Sequence, residues 1–119
     1  MAIRSVSCPG RVTNTGNTDI TAVAALTVDY ETNNNPQPRV QDVRTSPNIP
    51  PGSFYDFSLL IGGVNVSGGD TIAAFPQVWI QTPSFVLLLD LTTTPTVYVE
   101  AQPPVSVSGT ASGFVPVVS

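Results

Sequence analysis

Eight carboxylates, four arginines and one thiol are the groups of this chain best able to carry charge or attack an electrophile, and no histidine accompanies them. Without an imidazole there is no general base poised near neutrality, no partner for a Ser or Cys nucleophile, and no ring nitrogen for zinc, copper or iron. The acids Asp19, Asp29, Glu31, Asp42, Asp56, Asp70, Asp90 and Glu100 follow no D-x-D-x-D-G calcium-loop spacing. Asp70, beside Gly68 and Gly69, could join a calcium site assembled from distant residues, but a solvated carboxylate is its ordinary state. Two acids could hydrolyse a glycoside, yet nothing in their spacing selects which two. Cys8 lacks a neighbouring base or cation cluster and reads as a small, partly buried hydrophobe. A single Cys also excludes a disulfide within the chain. The expectation is therefore a non-enzymatic protein with no catalytic residues, no cofactor and no metal.

Charge narrows the partners. The net charge is -4, and Arg4, Arg11, Arg39 and Arg44 are scattered along the chain, so no basic stripe exists to neutralise phosphates and nucleic acid is not expected. The apolar run at residues 85–91 is far shorter than the ~20 residues of a membrane-crossing helix. The start Met1-Ala2-Ile3-Arg4-Ser5 lacks the apolar core of a signal peptide, which points to a cytosolic product and makes the Asn65-Val66-Ser67 sequon a chance match. Charged residues make up 10% of the chain, so solubility rests on neutral Thr, Ser, Asn and Gln. A component destined to sit in a larger assembly tolerates such a surface better than a freely diffusing one.

The elements that must position these groups are strands. With 119 residues the chain suits one domain, and its 12 Pro and 9 Gly punctuate the whole length. Val, Thr and Ile dominate the intervals, and no helical periodicity appears. The clearest strand is 20–30, where Ile20, Ala22, Ala24, Leu26, Val28 and Tyr30 share one face. Residues 39–45 read as a short edge strand. Residues 53–61 turn Tyr55, Phe57, Leu59 and Ile61 inward, and the paired glycines 62–63 and 68–69 read as bounding a connection. Segments 71–74 and 77–81 read as two strands split by Pro76, followed by strands at 84–91 and 96–101. Eight or nine short strands predict a single antiparallel β-sandwich of immunoglobulin-like or jelly-roll topology. Its boundaries are 11–102, with an N-terminal arm at 1–10 and a C-terminal arm or terminal strand at 103–119.

Residues 85–91 are apolar on both faces, which calls for a second covering layer. That layer is either the chain's own tail or loop, or another subunit. Val86 and Leu88, with Phe54 and Leu60 on a nominally outer face, are the candidate interface residues, and Val23 and Ala25 extend the patch. Trp79 and Tyr98 are candidate surface aromatics, suited to protein contacts or sugar stacking if they are not core. Phe114 joins Ile3, Val6, Val115 and Val117 as apolar anchors on the arms.

The order of Val12-Thr13-Asn14-Thr15-Gly16-Asn17, the long strand to Tyr30, and Ile49-Pro50-Pro51-Gly52-Ser53 before Tyr55 resembles that of CARDB-type immunoglobulin-like domains over residues 10–61. The Cys and Trp pattern of antibody domains is absent. As a short, Lys-free, Thr/Val/Pro-rich sandwich, the whole chain is similar to bacteriophage head decoration (cement) proteins. That similarity implies a virion structural protein, made in the host cytoplasm and placed on the capsid surface. Such proteins bind the major capsid protein or another virion protein and staple neighbouring shell subunits, often as trimeric homo-oligomers. The other class in view is a carbohydrate- or receptor-binding module of a tail fibre or adhesin.

Overall fold

The structure, a computed structural model, describes residues 2–82, 85–89, 96–102 and 105–119, with side chains described for 2–82 and 109–119. Period-two alternation of apolar residues drives these segments into strands: β1 (Ala2–Asn14), β2 (Thr21–Thr32), β3 (Asn35–Pro36), β4 (Val40–Thr45), β5 (Phe54–Val66), β6 (Ile72–Thr82), β7 (Phe85–Leu89), β8 (Thr96–Gln102), β9 (Val105–Gly113) and β10 (Val117–Val118). No helix occurs among the described residues. The strands form two antiparallel sheets packed face to face, as the sequence predicts. In sheet 1 the order is β5-β1-β9-β8, and β10 shares an edge of β1 with β9. In sheet 2 the order is β4-β2-β6-β7, and β3 shares an edge of β2 with β4. The pair β1–β5 faces the pair β2–β6. The architecture is a single antiparallel β-sandwich.

Between the sheets lie Val6, Cys8 and Val12 of β1, Ala22, Ala24, Leu26 and Val28 of β2, Phe57, Leu59, Ile61 and Val64 of β5, and Val78 and Ile80 of β6, all buried. Ile20 and Ile49, joined by a two-residue bridge, close one end. The side chain of Asn14 organises that end. Fully buried, its amide donates to the carbonyls of Thr18 (2.8 Å) and Ile49 (2.9 Å), and its own oxygen accepts from the Gly16 N–H (3.0 Å). Its backbone meanwhile pairs with Gly52 and Ser53 ahead of β5. One amide thus fixes both turn motifs read in the sequence, because Asn supplies donors and an acceptor in one rigid plane.

Four sequence expectations need correction. First, residues 1–10 are not an arm: Ala2 to Gly10 pair with β5, and Val6 and Cys8 are core. Second, β5 does not stop at the glycines 62–63. Ile61 opposes Val6 and Val64 opposes Arg4, so two residues face the single Ser5, and Gly63 (φ 72°) absorbs the extra one in a bulge. Third, β6 runs through Pro76. Pro76 opposes Leu26 of β2, and the described pairing of β6 with β7 begins at Val78.

Fourth, the tail is not an arm, and Phe114 is not a surface anchor. Gly10 opposes Gly113 while Ser7 opposes Val117, so three residues of the tail face Cys8 and Pro9. Gly113 (φ 80°) and Phe114 (φ 54°) take up the surplus in left-handed conformations. The extra residue changes the phase of the strand and turns Phe114 inward, 3% exposed, against Phe57. Its N–H donates to the Pro9 carbonyl (2.8 Å). The ring fills the space a Cβ on Gly10 would need, approaching that position to 2.4 Å.

Outcomes of substitution and of truncation follow from these contacts. Asn14→Ala should lower the free energy of unfolding by about 2–3 kcal/mol in urea titration, because buried carbonyls lose their donor. Phe114→Ala should lower it by about 3–5 kcal/mol. Deleting 110–119 removes Ala111 and Phe114 from the core and should unfold the chain, whereas deleting 115–119 should leave a cooperative transition.

Candidate interaction surfaces

Outward-facing positions of sheet 2 bring together residues that the sequence places far apart. Across its strands, Val43, Ala25 and Gln77 form one row, Thr45, Val23 and Trp79 a second, and Gln41, Thr27 and Phe75 a third. None of these nine side chains is ionisable. Val43 is 55% and Phe75 49% exposed, Trp79 and Val23 are half-buried, and Ala25 and Thr27 are covered by their neighbours. The Gln41 amide donates to Thr27 Oγ1 at 2.9 Å, which satisfies the hydroxyl within the face. Leu88 is the register partner of Trp79 and Val86 that of Gln81; their side chains lie outside the described residues. The sequence singled out Trp79, Val86, Leu88, Val23 and Ala25 but missed Phe75 and Val43. Carrying the alternation of Val78 and Ile80 back through Pro76 would have put Phe75 on the face of Trp79.

The other candidates lie elsewhere. Phe54 and Leu60 sit on the outer face of sheet 1, 52% and 55% exposed. The Arg11 guanidinium lies 3.7 Å over the Phe54 ring and donates to both Asp56 oxygens (2.8 and 3.2 Å), so one ring face is already occupied. The Leu60 N–H donates to Asp42 Oδ2 (2.9 Å), and Arg44 donates to Asp42 Oδ1 (2.9 Å). Asp42 thereby reaches from sheet 2 to cap the backbone of β5, an inward-pointing charge guarding an edge. Tyr98 opposes Ser108 in the β8–β9 pair, and its side chain lies outside the described residues. Phe114 is core, as described. Phe54, Leu60 and Trp79 therefore do not converge on one site.

The polar groups serve the fold. Asp70 is not free in solvent: its carboxylate accepts from the N–H groups of Ser67 (2.7 Å), Asn34 (2.8 Å) and Asn33 (2.9 Å). Asn33 (φ 52°) and Asn34 (φ 64°) form the left-handed pair of a tight hairpin turn between β2 and β3, so Asp70 ties that turn to the β5–β6 connection. Glu31 adds to the tie by accepting from the N–H and hydroxyl of Thr71. With its oxygens filled by N–H donors, Asp70 does not present a calcium site, and no group of three metal-ligating side chains occurs among the described residues. The Cys8 thiol is buried, which pushes its pKa up to about 11. A thiol so placed is a poor nucleophile. A shallow hollow of about 350 Å³ between Arg11, Asp56, Ser58 and Ser112 holds no unpaired acid, because Asp56 is engaged by Arg11.

Neither a protein-family model, nor a curated protein, nor a solved structure matches the chain.

The carboxylates give a pH dependence. Hydrogen bonds from Ser67, Asn34 and Asn33 hold Asp70 below its ordinary value of 3.8, and the guanidiniums of Arg39 and Arg11 do the same for Asp29 and Asp56. A folded-state pKa below the unfolded one contributes stability that is present above the unfolded value and lost as pH falls through the folded one. Thermal stability should be flat near neutrality and decline below about pH 4. Asp70→Asn should melt earlier at pH 7 and show a shallower acid decline by differential scanning calorimetry.

Proposed function

We propose that this chain is a non-enzymatic structural protein that joins a larger assembly through the outer face of sheet 2. The observation carrying this reading is the uncharged face centred on Val43, Val23, Trp79 and Phe75 on a protein of net charge -4. Charge is depleted at the core of protein interfaces and aromatics are enriched there. Fully burying side chains of this size is worth about 1.5–3 kcal/mol each, enough for a few to offset the cost of association. In its specific form the proposal is a capsid decoration (cement) protein, a homo-oligomer that staples shell subunits on a virion surface. Chain size, the sandwich fold and the charge-poor Thr/Val/Pro composition support that form.

The second reading, a glycan- or receptor-binding module, draws on Trp79, a half-buried indole on a sheet face. Val43→Asp/Phe75→Asp separates the two, since both residues are exposed and the double variant should fold. Sedimentation velocity on the wild type, alone and with shells assembled from a bacteriophage major capsid protein, should show association that the double variant loses. A wild type that stays monomeric and does not bind shells, while its tryptophan fluorescence responds saturably to a sugar, would replace the assembly role with the binding one.

A further inference from the structure

On the flank where β4 and β5 lie, the two sheets leave their edges in different states. In sheet 1 the edge of β5 is capped, since the Leu60 N–H donates to Asp42. In sheet 2 the edge of β4 is open. Just beyond β4, the Ser46 N–H donates to the Ala22 carbonyl, so even-numbered residues of this strand turn their backbone groups toward β2 and odd-numbered ones turn theirs away. Gln41, Val43 and Thr45 therefore point their N–H and C=O groups outward, and among the described residues β4 has no strand partner but β2. We propose that this edge pairs with β4 of a second copy of the chain, antiparallel about a twofold axis at Val43, so that sheet 2 runs continuously through a dimer.

The sequence of β4 is complementary to itself in that register. With Val43 facing the partner's Val43, Gln41 faces the partner's Thr45 and Asp42 faces the partner's Arg44. Every outward N–H then meets a carbonyl and every charge meets its opposite, repeated by the symmetry of an isologous contact. Arg44 is free to take part: its Nε donates to Asp42 of its own chain, its side chain is 62% exposed, and its other guanidinium nitrogens make no hydrogen bond to a described residue. Other registers fail. Centring on Asp42 or Arg44 opposes like charges, and the backbone groups of those residues are already turned to β2. Centring on Thr45 sets Val43 against Pro47, which has no N–H to give, and centring on Gln41 sets Thr45 against Gln37, beyond the end of β4. The strand carries no lysine, proline or bulge to block pairing, and its two charges, the usual deterrent, are the ones the twofold axis makes complementary. The inference rests on the homo-oligomeric part of the reading above and not on docking to a shell, because it uses the edge of sheet 2 whereas the shell contact uses its face.

Pairing one short strand buries less than the ~1,200 Å² of a standard interface, so sedimentation velocity should show a dimer that dissociates between about 1 mM and about 10 μM. Arg44→Glu sets like charges across the axis and should weaken the dimer about tenfold or more. Phe75→Asp, on the face and two strands from the edge, should leave the dimer intact. A wild type that dimerises without binding shells keeps this inference and removes the shell role; one that binds shells as a monomer does the reverse. Register is read by oxidative cross-linking of added cysteines, the native Cys8 being buried. Opposed residues of a hydrogen-bonded antiparallel pair have Cα atoms about 5.5 Å apart, within disulfide range. Val43→Cys, at a position 55% exposed and so expected to fold, should give mostly cross-linked dimer on a non-reducing gel. Gln41→Cys and Thr45→Cys should each stay largely monomeric alone and cross-link when mixed, which reads the same register without touching Val43. A wild type monomeric at about 1 mM, a dimer indifferent to Arg44→Glu, or Gln41→Cys alone cross-linking as readily as Val43→Cys overturns the proposal.

Discussion

Strand β1 is hydrogen-bonded along both edges, and the rest of sheet 1 depends on that double pairing. On one side β5 follows it from Ala2 to Thr13; on the other β10 and then β9 cover it from Val6 to Asn14. Each side carries one residue too many for a regular ladder. The surplus is absorbed at Gly63 facing Ser5 and at Gly113 facing Pro9, where left-handed backbone is available at low steric cost. Pro9 belongs in this arrangement. A residue without an N–H is tolerated inside a sheet where the partner strand bulges away.

The strand pattern was legible wherever alternation was unbroken. Ile20 to Tyr30 and Tyr55 to Ile61 face as their periodicity implies, and the short edge strand near residues 39–45 is β4. Errors arose where a single residue changes phase. Glycines 62–63 and 113 look like chain breaks in a sequence, yet the first pair is a bulge inside β5 and the last ends β9 where the tail gains a residue before β10. Phe114 therefore moves from an outward position to the core by an insertion that side-chain patterning cannot detect. Pro76 misled for a related reason: whether proline ends a strand depends on whether a neighbouring strand needs its N–H, which is a property of the sheet. Asn14 was visible as turn chemistry, but its buried role required knowing that Ile49 comes back beside Ile20.

The distribution of charge matters more than its amount. Asp29–Arg39 lies toward the β2–β3 end of sheet 2, Arg11–Asp56 crosses the outside of sheet 1, and Asp42–Arg44 closes the flank between β4 and β5. The exposed pairs Asp29–Arg39 and Arg11–Asp56 contribute little to stability. Their placement leaves the centre of sheet 2 neutral, where Trp79, Phe75 and Val43 gather. A face can be apolar without exceptional hydrophobicity in the chain if its few charges are pinned elsewhere by arginine.

Pairing β1 with β9 and β10 has a consequence for biosynthesis. The contact between Ser5 and Ser119 spans 114 positions of sequence, so β1 is synthesised well before the strands that cover one of its flanks. Until residues 109–118 emerge, one flank of that strand keeps its backbone N–H and C=O groups without their ladder partners. Topologies of this kind acquire their shape late and slowly.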